Sequence, residues 1–168
     1  MYKYWILLLI LIAPVVCDGQ ERKHQKIDIE LGMGITFGAD SYYDYENRLG
    51  ACLKLEGRYN FINFPINIGI QIAQCAIARE DEIFSDDVNR VSSLLLIGDY
   101  QFRRGQKRVN PYAGLGLGPV WSELSSSTYA CVAPRIGVRF FNHINLHLDY
   151  KFAKTADRHA SLCLGFYF

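Results

Sequence analysis

Near the end of the chain, His159 and Ser161 have the side-chain types that acyl transfer uses. An imidazole can take the hydroxyl proton and leave a nucleophile, provided a carboxylate holds the ring. No carboxylate is obviously placed to do that. A second set is ionic, with Asp28, Glu30, Glu56, Asp99 and Asp149 set against Arg48, Lys54, Arg58, Arg135, Arg139 and Lys151. A third is thiol: Cys52, Cys75, Cys131 and Cys163 follow Cys17 at the N-terminus. Their spacing gives no CxxC and no Cys/His zinc signature. The formal net charge of +1 speaks against a nucleic-acid partner, which would need a basic stripe.

The elements that carry these groups alternate with period two, as strands do and helices cannot. From 27 to 37 the odd positions are Ile27, Ile29, Leu31, Met33, Ile35 and Phe37, and the even ones are Asp28, Glu30, Gly32, Gly34 and Thr36. The same segregation recurs at 48–61, 66–79, 92–103, 111–121, 131–141, 144–152 and 159–168. The fourth segment is the least clean, because Leu95 and Ile97 fall on its polar face. Eight strands of this length are each long enough to cross a bilayer when tilted. Across their apolar faces there is no Asp, Glu, Lys, Arg or His, and Gln74 is the main polar residue. In a chain that is 21% charged, that absence is the strongest single sign.

Connectors and ends fit the same reading. Loops at 39–47, 80–91, 122–128 and 153–158 alternate with tight turns at 62–65 and 142–143 and a middling connector at 104–110. Both termini would then lie on the short-turn side. Lys3 and the apolar stretch Trp5–Ala13 read as an export signal too short to span a bilayer. Cleavage after Gly19 would give residues 1–19 as signal peptide and 20–168 as barrel. The competing reading acylates Cys17, although Val15 and Val16 are bulky for such a site.

Alternation alone does not say which face is outside. A soluble exported barrel would turn the apolar face inward around a small apolar ligand. Three features favour the opposite sense: glycines crowding the polar face (Gly32, Gly34, Gly50, Gly69, Gly98, Gly114, Gly116, Gly137, Gly165), a terminal Phe168, and aromatics gathered near strand ends. Tyr59, Phe61, Phe102, Phe140, Phe166 and Phe168 fall toward the turns; Trp121, Tyr150 and Phe152 fall toward the loops.

The run Asn110-Pro111-Tyr112-Ala113-Gly114-Leu115-Gly116-Leu117-Gly118, with Pro134-Arg135-Ile136-Gly137-Val138-Arg139-Phe140, resembles the small outer-membrane β-barrels related to the OmpA transmembrane domain and OmpX. The terminal Leu164, Phe166, Phe168 alternation is similar to the signal those proteins present to the barrel-assembly machinery, with Cys163 standing where glycine is frequent. The resemblance implies an all-β, closed, antiparallel, up-and-down transmembrane barrel of eight strands in the cell outer membrane. Its partners would be outer-membrane lipid and lipopolysaccharide, the assembly machinery, and an unknown extracellular partner. With the chain stopping at the last strand, no peptidoglycan-binding domain is expected to follow.

Within that frame each chemical set has a place. The ionic residues point into a narrow lumen and should pair there, because buried charges need partners; a narrow ion path is the alternative. His147 and Asp149 join this set. His159-x-Ser161 invites comparison with outer-membrane lipid A deacylases, whose pair works at the lipid-facing surface. Here both residues share parity with Cys163 and Tyr167 and so point inward. In a hairpin symmetric about the 62–65 turn, Cys52 opposes Cys75, and export favours a disulfide between them. The acidic loop (Glu80, Asp81, Glu82, Asp86, Asp87) and the basic turn (Arg103, Arg104, Lys107, Arg108) read either as solvated connectors or as contacts for divalent cations and anionic headgroups. Pro119 and Pro134 are expected to face each other and end their ladder.

The expected function is therefore non-enzymatic: a barrel with a filled lumen serving envelope structure or surface contact through loops 39–47 and 80–91. The alternatives are the soluble ligand-binding barrel and, more distantly, a lipid A esterase using His159 and Ser161. No catalytic, cofactor-binding or metal-binding residue is assigned, and no cofactor is expected.

Overall fold

The computed structural model describes residues 26–38, 49–61, 63–78, 88–102, 108–123, 128–141, 143–153 and 158–168. The export signal, loop 39–47 with Arg48, the acidic stretch 80–87 and residues 103–107 of the basic turn lie outside them. Eight antiparallel strands form one closed barrel: β1 (Ile27–Gly38), β2 (Leu49–Asn60), β3 (Ile66–Ala78), β4 (Val88–Gln101), β5 (Val109–Ser122), β6 (Thr128–Phe140), β7 (Ile144–Lys151) and β8 (His159–Tyr167). Each strand pairs with its sequence neighbours. Closure comes from β1 and β8, in register from Glu30–Tyr167 to Gly38–His159. Each described strand is therefore paired on both flanks, and the sheet has no first or last strand.

The barrel is inside out relative to a water-soluble protein. Leu53 and Ile70 are 54% and 55% exposed, whereas Lys54 and Glu56 between and beside them are each 1% exposed. Ile29, Leu96, Leu117, Ile136 and Leu148 show the same outward placement on other strands. A monomer in water rarely bares more than a few hundred Å² of contiguous apolar surface. Here an apolar band runs round the whole wall, and hydrocarbon is the solvent that matches it. The soluble ligand-binding barrel is overturned by this placement: its interior would have to be apolar, and this one holds the ions. Rings meet at both rims of the band, Tyr59 and Phe61 (5.2 Å between centroids) and Tyr100 and Phe102 (5.4 Å) edge to face at the turn end, Tyr150 and Phe152 (4.4 Å) tilted at the other.

Three expectations need correction. Gly98 lies on the outward face of β4, in step with Leu96 and Tyr100, where an added Cβ would meet nothing within 4 Å. The second loop is shorter than expected, since β4 starts at Val88 and carries Arg90 outward. Pro119 and Pro134 do not oppose each other: they face Ala130 and Leu115, and the β5–β6 ladder continues to Trp121–Thr128. A proline lacks one N–H and so weakens only one flank. At Pro119 the gap falls toward β4, between the pairs Ser93–Val120 and Leu96–Leu117. At Pro134 it falls toward β7, where the ladder ends at Arg135–Asp149 and only the Val132–Phe152 bridge lies beyond.

An arginine at a mid-wall outward position should cost about 2–4 kcal/mol in a bilayer. Ile70→Arg is expected to lose that much in denaturant titrations of the barrel in lipid vesicles, with Ile70→Leu near wild type. An arginine variant as stable as wild type would contradict a lipid-facing Ile70.

Candidate functional site

The lumen gathers the ionic residues into one connected body. At its centre Glu56 of β2 takes a two-pronged contact from Arg135 of β6: Nη1 donates to Oε1 at 3.1 Å and Nη2 to Oε2 at 3.0 Å. Strands β2 and β6 are four apart in an eight-strand ring, so this pair crosses the full lumen. Glu56 also accepts from Arg58 Nε at 2.9 Å and from Gln71 Nε2 at 2.6 Å. Arg58 pairs with Glu30 at 3.0 Å and donates to the Tyr167 hydroxyl. Asp99 of β4 joins through Arg135 Nε at 3.2 Å and Arg58 Nε at 3.7 Å. Asn145 of β7 closes the ring by donating to both Glu30 oxygens, at 3.0 and 3.1 Å.

The lumen is layered along its axis. Toward the turns, Arg139 pairs with Asp28 at 3.2 Å and lies 4.2 Å over the Tyr167 ring. Toward the loops, Asp149 takes the ammonium of Lys54 on one oxygen and that of Lys151, at 3.1 Å, on the other. His147 stands between the two clusters, with Nε2 3.2 Å from Lys54 Nζ and Nδ1 3.1 Å from the Asn145 amide. Beyond that level the filling turns apolar: Val91, Leu95, Ile97, Val120, Cys131 and Ala133 pack together inside the wall. This explains the break in alternation on β4. Leu95 and Ile97 are inward because that part of the lumen is a small apolar core.

Such crowding is possible because a bulky inward residue commonly faces a glycine on the next strand. Asp99 lies opposite Gly114, Tyr112 opposite Gly137, and Arg58 opposite Gly69. A Cβ at Gly137 would meet the Tyr112 ring, and one at Gly114 the Asp99 carboxylate. The glycines make room for side chains that lean across the sheet. Tyr112 is the lumen residue that sequence reasoning missed; its even position among Gly114, Gly116 and Gly118 is the signal that marks it as inward.

His159 and Ser161 are brought to the lumen side of β8 and both are fully buried. Ser161 packs against Thr36 Oγ1 (3.4 Å) and Cys75 Sγ (4.0 Å). Asp149 stands opposite Ser161 across β7–β8, yet its two oxygens are taken by Lys54 and Lys151. Cys52 and Cys75 are directly opposed and bonded as a disulfide, while Cys131 and Cys163 are buried free thiols. Cys163 packs beside the disulfide, over the space that Gly34 leaves. Among the described residues no group of three or more His, Cys, Asp or Glu could hold a metal ion.

By sequence, no family model and no curated protein matches this chain. Solved structures do match it. Neisserial surface protein A superposes with a TM-score of 0.62 over 85% of this chain and 96% of its own, at 14% identity. Ail, the attachment invasion locus protein of Yersinia pestis, gives 0.55 over 84% and 97%, at 20% identity. The outer membrane enzyme PagL gives 0.54 over 84% and 98%, at 12% identity. The fold is that of the small outer-membrane β-barrels. With the outward apolar band, it places the chain in an outer membrane. Likeness at these identities is one of fold, and one of the three neighbours is an enzyme, so activity has to be argued from the site.

Removing one carboxylate charge from the centre should be costly, because two buried guanidinium groups lose a shared counter-ion. Glu56→Gln is expected to destabilise the barrel by about 3–5 kcal/mol. Glu123→Gln, which breaks the exposed pair with Arg90, should cost less than about 1 kcal/mol. Denaturant unfolding in detergent micelles followed by tryptophan fluorescence compares the two, and equal effects would deny the network its structural role.

Proposed function

We propose that this protein is a non-enzymatic outer-membrane barrel whose ionic filling closes its lumen, serving envelope structure or contact at the cell surface. The observation that carries this reading is the Glu56–Arg135 pair spanning the barrel from β2 to β6. A conducting pore needs an unobstructed polar path. Here the path is crossed at its centre by paired side chains, then continued toward the loop end by an apolar cluster. The described lumen acids Asp28, Glu30, Glu56, Asp99 and Asp149 are matched by Lys54, Arg58, Arg135, Arg139 and Lys151, five of each sign, so no excess charge favours one ion. With the interior filled, contact with other molecules falls to the lipid-facing wall and to the two longest connectors, residues 39–48 and 79–87, at the end opposite the termini.

The burial of His159 and Ser161, with Asp149 held by two lysines, supports the absence of an esterase. An acyl ester lying in the membrane would have to pass through the barrel wall to reach Ser161.

In planar bilayers the purified protein is expected to give no steady ionic current; reproducible conductance steps would overturn the closed-lumen reading. Separately, Ser161→Ala is expected to leave the acylation pattern of lipid A unchanged when measured by mass spectrometry. Loss of an acyl-removing activity in that variant would establish a hydrolase instead.

A further inference from the structure

The outward wall is not uniformly apolar. Apart from the girdle tyrosines, the polar residues on the outward faces of the described strands are Gln74, Arg90, Ser92 and Thr128. They are not scattered. Gln74 pairs with Ser92 across β3–β4, Ser92 with Trp121 across β4–β5, and Trp121 with Thr128 across β5–β6. Arg90 stands one outward position nearer the loops than Ser92.

Beside this row the wall is hollowed. A groove of about 570 Å³ opens outward, lined by Met33, Ala51, Leu53, Gln74, Ala76 and Arg90. Its floor follows from small side chains in register: Ala51 opposite Ala76, and Ala76 opposite Arg90. At that level β2 and β3 offer single methyl groups, whereas the adjacent outward positions on β2 are Leu49 and Leu53. The groove thus has an apolar bed, an amide within it and a cation at its loop end. Among the described residues Arg90 pairs with Glu123, at 3.4 Å, with side chains 56% and 60% exposed. Such an exposed pair is weak and exchangeable.

The levels suit one kind of occupant. Arg90 is close to the loop end of β4, where lipid headgroups lie. Gln74 comes two residues before Ala76 on β3, further from the loops and roughly 5 Å nearer the bilayer centre on a tilted strand. That is the order of groups in a membrane lipid: phosphate first, acyl carbonyl next, hydrocarbon below. An amide facing hydrocarbon with no partner is costly, and a carbonyl at that depth supplies one.

We propose that this groove binds one phosphorylated lipid of the outer leaflet. Its phosphate takes Arg90 from Glu123, its acyl carbonyl accepts from the Gln74 amide, and one acyl chain lies over Ala51 and Ala76. The inference rests on the membrane reading above. Carbonate washing tests that reading independently, because a chain washed off membranes would sink both, whereas the experiment below sinks the groove alone.

The full chain, extracted from outer membranes in mild detergent, is offered bisphosphorylated lipid A or phosphatidylcholine, and native mass spectrometry counts the lipid retained per barrel. Wild type is expected to retain one lipid A in preference to phosphatidylcholine. Arg90→Gln should lower that retention about fivefold, the factor one interfacial cation contributes toward anionic lipid. Ala76→Leu, which fills the bed, should lower it as well, and Glu123→Gln, which removes the competing carboxylate, should raise it. Heat-modifiable gel mobility reports that each variant is folded; Arg90→Gln and Glu123→Gln, at the exposed rim, carry the test should Ala76→Leu fail to fold. Equal retention of lipid A by wild type, Arg90→Gln and Glu123→Gln, or equal retention of the two lipids by wild type, would overturn the proposal.

Discussion

Everything in this barrel depends on one constraint: charges enclosed by the wall must find their partners inside it, chiefly in one another. The Glu56 carboxylate and the Arg135 guanidinium sit on opposite walls and meet in the middle. Removing an ion from water costs several kcal/mol even after relaxation, and only a partner at good geometry offsets it. The pairing in turn requires closure, since an open sheet would let β2 and β6 drift apart and admit water between them. Closure requires that β1 meet β8 in register, and Glu30, part of the same ionic ring, sits at the first pair of that seam. Ionic core and closed ladder therefore support each other.

The division of labour between the two faces follows from the solvent. Lipid tails are as apolar as leucine, so the outward residues gain little from one another once the chain is in a bilayer. They determine where the protein resides. They contribute little to which side chains meet inside. That discrimination falls to the lumen, where a misplaced arginine has no alternative partner. The glycines opposite Asp99, Tyr112 and Arg58 are part of the same arrangement, since a methyl group would collide with the Asp99 carboxylate at Gly114, with the Tyr112 ring at Gly137 and with the backbone of Gly57 and Arg58 at Gly69.

How much of this could be read from sequence differs by level. Strand number, order and facing were legible, because period-two segregation is a local property and residues such as Lys54 and Glu56 declare their side against Leu53 and Leu55. The Cys52–Cys75 pairing was legible for the same reason: a tight turn fixes the register of its own hairpin. The trans-lumen contacts were not. Glu56 and Arg135 are related by the geometry of the closed ring, and no local pattern encodes which of several lumen cations a carboxylate will reach. Leu95 and Ile97 looked like errors of alternation until the apolar layer appeared around them. Arg90 was read as loop because the expected fourth strand started too late, and with it the one charge on the outward faces of the described strands went unseen. Pro119 and Pro134 were given too much weight, since each removes hydrogen bonding from one flank and leaves the other intact.

The disulfide belongs to this account of register. A slip of one residue between two strands turns every outward side chain inward, so pairing must be specified along the whole length of the wall. In the ionic layers the specification is strong: a slipped Arg58 would lose Glu30, Glu56 and Tyr167 together. Nearer the loops the β2–β3 interior offers small residues such as Ala73 and Cys75, which discriminate poorly between registers. Cys52 and Cys75 are separated by 23 positions and enclose the turn at 61–65. A bridge closing a segment of that length removes about 3 kcal/mol of freedom from the unfolded chain. It also admits a single register, whatever the surrounding side chains prefer. The covalent bond thus specifies pairing in the stretch of the β2–β3 wall where electrostatics no longer does.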